Sequence, residues 1–116
     1  MNPSAPADPD FDIRLDRYGK VVLLSLSGRL DAAAAAILQQ YLVNVLVSRI
    51  PPLLVVDLTC VLAVDAEARD ILLSADRHAR AFEGRLIVVG AGVLPGRLGG
   101  LEMFPGVAEA LAALTE

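Results

Sequence analysis

Tryptophan is absent, and aromatic residues make up only 4 % of the 116-residue chain. An interior without large rings must be built from Leu, Val, Ile and Ala, with Phe11, Phe82 and Phe104 as its largest pieces. A single cysteine, Cys60, excludes an internal disulfide and with it the stapled scaffolds of small secreted domains. That cysteine and the one histidine, His78, cannot by themselves make a common zinc site, so no metal and no cofactor is expected. Cations are scarce too. Ten Lys and Arg against fourteen Asp and Glu leave a net charge of -4, which argues against the basic stripe of a nucleic-acid binder. No apolar run approaches the roughly 18 residues of a membrane helix, so no membrane insertion is expected. Residues 1–10 have neither the basic nor the apolar region of a signal peptide, which makes a cytoplasmic location the expectation.

What is present is apolar and ordered by period. Residues 1–10 carry three Pro and no periodic pattern and are expected to be a disordered tail; residues 11–116 are expected to be one domain. Phe11 to Leu15 alternates as a half-buried strand does, and Val21 to Ser27 reads as a more buried one. The short link Tyr18-Gly19-Lys20 makes the pair a hairpin. Asp31 is a good N-cap for a helix of five alanines followed by Ile37 to Ser48, with Ile37, Leu38, Tyr41, Leu42, Val45 and Leu46 as its buried stripe. Leu53 to Leu58 is a near-continuous apolar strand, typical of a sheet covered on both faces. Asp65 caps a second helix, Ala66 to Phe82, with a core stripe of Ala68, Ile71, Leu72, Ala75, Ala79 and Phe82, and Gly84 ends it. Arg85 to Val89 is another buried strand. Five glycines and Pro95 between Gly90 and Gly100 weigh against regular structure. Leu101 to Phe104 fits a short strand or a turn, and Val107 to Leu114 a last helix. Strands alternating with helices after a hairpin imply an α/β domain: a mixed sheet of four to five strands with helices mainly on one face.

No catalytic set is visible. Walker and GxSxG motifs are absent, and Pro95 stands where Gly90-Ala91-Gly92 would need its third glycine to form a dinucleotide loop. The chain is therefore not expected to be an enzyme. His78 reads as a residue at the margin of the core stripe, since no partner for a catalytic base is found. Cys60 reads as an inert small hydrophobe or a redox-sensing thiol. Asp57 reads as a loop acceptor and Asp65 as a plain cap.

Three stretches, Gly28-Arg29-Leu30-Asp31, then Asp57 to Asp65, then Gly84 to Gly90, together resemble the STAS family of bacterial anti-sigma factor antagonists. Gly28-Arg29-Leu30-Asp31 matches the family's G-x-L-D before the first helix. Asp57-Leu58-Thr59-Cys60-Val61-Leu62-Ala63-Val64-Asp65 is similar to its D-L-(S/T)-x-V stretch ending in Asp before the second. Gly84 to Gly90 resembles its later G-x-x-L strand. The resemblance covers about residues 11–114 and implies that the protein binds a serine-kinase-like anti-sigma factor and so frees a sigma factor. It also implies that the kinase phosphorylates a serine directly after the family's aspartate, and that the added charge breaks the complex.

Here that position is Ala66, and Asp65-Ala66-Glu67-Ala68 stands where D-S-x-G belongs. The third family helix also looks interrupted, by Pro95, Gly96, Gly99 and Gly100. Three readings of Ala66 follow: an antagonist its partner cannot switch off, a non-switching accessory or scaffold subunit of a lipid-transport or stress-signalling complex, or a chain in which Glu67 imitates the phosphorylated state. The partner-binding residues implied are Gly28, Arg29, Asp31, Thr59, Asp65, Ala66 and Glu67, with Thr59 the nearest alternative phosphate acceptor. On a helical wheel Arg69, Asp70, Arg77 and Arg80 fall opposite the core stripe around Leu73, which resembles an interface centre with a polar rim. Val43 and Val47, away from the first helix's main stripe, read either as a wider buried stripe or as a second surface. A weak homodimer is compatible with these features.

Overall fold

The structure, a computed structural model, describes residues 11–90, 92 and 101–115. The expected tail at residues 1–10 and most of the glycine-rich stretch lie outside the described residues. Strand β1 (Phe11–Tyr18) and strand β2 (Val21–Leu30) pair antiparallel, Tyr18 opposite Val21, across the two-residue link Gly19-Lys20. Gly19 has φ +64°, which a residue without Cβ adopts freely. Helix α1 (Ala32–Ser48) crosses to strand β3 (Leu53–Val64), and helix α2 (Ala66–Ala81) crosses to strand β4 (Arg85–Val89). Strand β5 (Glu102–Phe104) and helix α3 (Val107–Thr115) complete the fold.

The sheet order is β1-β2-β3-β4-β5, parallel from β2 to β5. Both helical crossovers step the same way across the sheet. Right-handed crossovers that do so place their helices on one face. Accordingly α1 and α2 share a core with Leu24, Leu26, Leu54, Val56, Leu86 and Val88. On the opposite face α3 covers Val21, Leu23, Val55, Ile87 and Val89. Coverage on both sides is why β2, β3 and β4 read as unbroken apolar runs.

The expected elements are present, with differences that have physical reasons. β2 and β3 extend beyond their expected ends because they go on pairing with each other past the last β3–β4 pair, Asp57 with Val89. None of the three Phe is fully buried. Phe11 and Phe104 are half-buried, and Phe82 is 43 % exposed because it caps the end of α2. There its ring meets that of His78, half-buried on the same helix, with centroids 4.8 Å apart. Ile37 is exposed and Tyr41 half-buried, while Ala34 and Ala35 are buried in their place. In α1 the small side chains face the sheet, which lets the helix approach it closely.

A corner where two helix starts meet

The parallel register of β2 and β3 brings the two most distinctive stretches of the sequence side by side. Ser27 pairs with Cys60, Gly28 with Val61, Arg29 with Ala63 and Leu30 with Val64. Two irregularities, between Ser25 and Ser27 and between Gly28 and Arg29, each place one extra residue in β3. Gly28 has φ +90° at the second of them, a conformation that side-chain-bearing residues rarely adopt. The Asp65 N–H then donates to the Leu30 carbonyl at 3.1 Å, so α1 and α2 start from adjacent strand ends.

Both aspartates at this corner are helix caps. The Asp31 carboxylate accepts from the Ala34 N–H and the Asp65 carboxylate from the Ala68 N–H, each at 3.0 Å. Arg29, Ala66 and Glu67 are exposed around them. Asp57 is tied locally, accepting from the Thr59 hydroxyl at 2.8 Å and the Thr59 N–H at 3.0 Å. The backbone of Thr59 is held from the far side by Gly90, φ +75°, where an added Cβ would come within 2.8 Å of the Thr59 nitrogen. Thr59 itself is exposed. Cys60 is exposed as well, not the enclosed hydrophobe that its neighbouring apolar strand implies, because it lies in the overshooting part of β3.

The structure thus brings Gly28, Arg29, Asp31, Asp65, Ala66 and Glu67 together, with Thr59 further down β3. The α2 residues are spread out. Asp70 is exposed and ion-paired at 2.9 Å with Arg69, whose side chain is largely covered. Arg77 is exposed and donates to the Ser74 hydroxyl at 3.1 Å; at 1.5 Å per residue it lies roughly 16 Å along the axis from Ala66. Leu73 differs from its place on the ideal wheel. It is half-buried against the core, because the inward face of α2 is centred on Leu72, Ala75 and Ala79 and widens to take in Asp76. Asp76 is 5 % exposed and pairs with Arg80 at 2.7 Å.

Leu62 went unread as a sequence feature. It is 71 % exposed between the buried Val61 and Val64, on the stretch of β3 that leads into α2. The bulged register turns it outward, and an even alternation along β3 gives no sign of that. Chemically the corner offers two helix N-termini, each with its third N–H already bonded to the capping carboxylate, an exposed apolar side chain and a mixed-charge rim. Among the described residues no three His, Cys, Asp or Glu converge as a metal site requires, and no helix is long and apolar enough to cross a membrane.

Comparison with known proteins identifies the fold that carries this corner. The family model described as Mlab, STAS domain matches residues 13–113. The chain belongs to the STAS family. An anti-sigma factor antagonist from Mycobacterium paratuberculosis superposes with a TM-score of 0.79 at 25 % identity, covering 96 % of this chain and 100 % of that one. The phosphorylated form of the Bacillus cell fate determinant SpoIIAA gives a TM-score of 0.67 at 18 % identity, over 88 % and 98 % of the two chains. A variant of RsbS from Moorella thermoacetica gives 0.74 at 15 %, over 89 % and 94 %. No curated protein sequence matches the chain. Among the described residues, the five-stranded sheet with its three helices is therefore the STAS fold, with Ala66 opening α2.

Proposed function

We propose that this STAS domain is a protein-binding regulator that antagonises an anti-sigma factor, and that it does so without a phosphorylation switch at the start of α2. The observation that carries the reading is its similarity, over nearly the full length of both chains, to the M. paratuberculosis antagonist. The contact surface is the corner of Arg29, Ala66 and Glu67 together with the exposed Leu62 on the strand that leads into it, an apolar anchor with polar neighbours. Ala66 occupies the first position of a helix capped by Asp65. A phosphate there would suit the helix terminus, yet it would add about -1.5 to -2 charges beside Glu67 and the cap. An alanine can never receive it, so the complex stays formed when its partner is an active kinase.

The test is to mix the protein with its kinase-like anti-sigma factor and ATP and to measure intact mass and affinity. Wild type is expected to gain no phosphate and to keep its partner, whereas Ala66→Ser gains one phosphate and loses binding by tenfold or more. Stoichiometric phosphorylation of wild type with release of the partner, at Thr59 or elsewhere, overturns the loss of the switch. Absence of binding to any such kinase overturns the antagonist role in favour of a second reading. That reading is a non-switching accessory subunit, which the missing hydroxyl also suits.

A further inference from the structure

Helix α1 is the one described element without a charged side chain. A surface helix of a free-standing domain normally carries charge on its outer face. Here the outward positions include Gln39, Gln40 and Asn44, and with them Val43 and Val47, 51 % and 65 % exposed. These two valines are one turn apart, and they form one wall of a groove of about 330 Å³ between α1 and α2. Its floor is Leu42, Leu46, Ile71 and Ala75. The opposite wall is α2, from Glu67 to His78.

The groove has an electrical direction. Glu67 and Asp70 stand at the end nearest the N-terminus of α2. Glu67 makes no ion pair among the described residues, Asp70 is paired with Arg69 on its own helix, and α1 supplies no cation to either. Toward the other end Arg77 bonds to Ser74 on the groove wall, and His78 follows. Both helices leave adjacent strand ends, so they run the same way, with both positive dipole ends at the acidic end of the groove. An occupant that runs against them places its own negative dipole end there. It satisfies Glu67 best if its last turn is basic.

We propose that this groove docks an amphipathic helix of a partner protein, antiparallel to α1 and α2. The docked helix presents apolar side chains at i, i+3/i+4 and i+7 to the valine wall and Lys or Arg in its C-terminal turn to Glu67 and Asp70. The α1 wall spans nine residues from Gln39 to Val47, eight rises or roughly 12 Å, which suits a contact of two to three turns. The chain's own first ten residues do not fit, since they hold three Pro and no Lys or Arg. A second copy fits less well, because its α1 brings no cation to Glu67. The groove adjoins the corner but does not depend on the anti-sigma reading: Ala66→Ser tests the one, and the valines test the other.

The probe is a 20-residue helical peptide with Leu at that spacing and Lys in its last turn, carrying a nitroxide at its C-terminus, titrated into the full chain and followed by amide NMR. The expected result is saturable binding with shifts along Val43, Val47 and Ile71, and line broadening near Glu67 rather than near His78. Val47→Glu is expected to weaken binding tenfold or more while the spectrum stays folded, since the side chain it replaces is mostly in solvent. A peptide with Glu in place of Lys is expected to bind at least tenfold more weakly, and Glu67→Lys to reverse that preference. Equal affinity for the two peptides, or broadening at the His78 end, overturns the proposed occupant. If the chain alone dimerises in sedimentation and Val47→Glu makes it monomeric, the face belongs to a second copy and the proposal falls.

Discussion

Two neighbouring residues after α2 show how a side chain's role can be the reverse of what its type implies. A glycine just past a helix normally takes the left-handed conformation. Here the left-handed residue is Glu83, φ +64°, while Gly84 is needed for space. A Cβ on Gly84 would stand 2.0 Å from the Pro52 carbonyl oxygen, the same oxygen that accepts from the Arg85 N–H as β4 begins. The backbone there cannot move away without breaking that bond. Glu83→Gly is therefore expected to stabilise the fold by about 0.5–1 kcal/mol, by relieving a strained φ. Gly84→Ala is expected to cost about 2 kcal/mol or more, by overpacking. Urea unfolding of the two variants reads both, and a similar effect of the two substitutions refutes this division of roles. The sequence places a glycine at the right spot, but a steric clash with a residue 32 positions away leaves no mark in the local pattern. Cys60 and Leu62 escape for a related reason, since bulges in β3 decide which way they face.

At the scale of elements the helices are the most legible part, because their starts carry their own chemistry. Asp31 and Asp65 each satisfy a first-turn N–H that the helix itself cannot. Asp31→Ala and Asp65→Ala are each expected to cost about 1 kcal/mol in denaturant unfolding, with asparagine at either position recovering most of the loss. If asparagine does no better than alanine, the carboxylates act by charge on the helix dipole and not as hydrogen-bond acceptors. The motif stretches Gly28 to Asp31 and Asp57 to Asp65 lie side by side in the structure, because parallel strands bring their ends into register. The faces of the helices are less legible. An even wheel over α2 puts Leu73 outside and Phe82 inside, whereas contact with the sheet draws Leu73 and Asp76 inward and leaves Phe82 beyond its edge. In α1, apolar residues on nearly every side blur the stripe. That same feature leaves Val43 and Val47 exposed beside the groove.

The whole molecule is built unevenly around its sheet. Among the described residues, one face is closed by two long helices and a broad core, and the other by the nine residues of α3 resting on Val21, Leu23, Val55, Ile87 and Val89. Arg85 binds this thinner side together, bonding to Glu102 on β5 and, at 3.3 Å, to the Ala113 carbonyl of α3. β5 adds only three residues to the sheet. Opening the second face therefore sacrifices far less buried area than opening the first, and free energies of local opening follow that difference. In native-state amide exchange, α3 and β5 are expected to lose protection at lower denaturant than α2, β3 and β4. Leu114, 7 % exposed, is the sensitive point, and Leu114→Ala is expected to cost about 2–3 kcal/mol, most of it as easier opening of α3. Such a variant keeps the α1–α2 face and the corner intact. It should therefore retain partner binding while its released sheet face, apolar and in strand conformation, promotes self-association in sedimentation. Uniform loss of protection across all three helices would mean instead that the two faces unfold as a single unit.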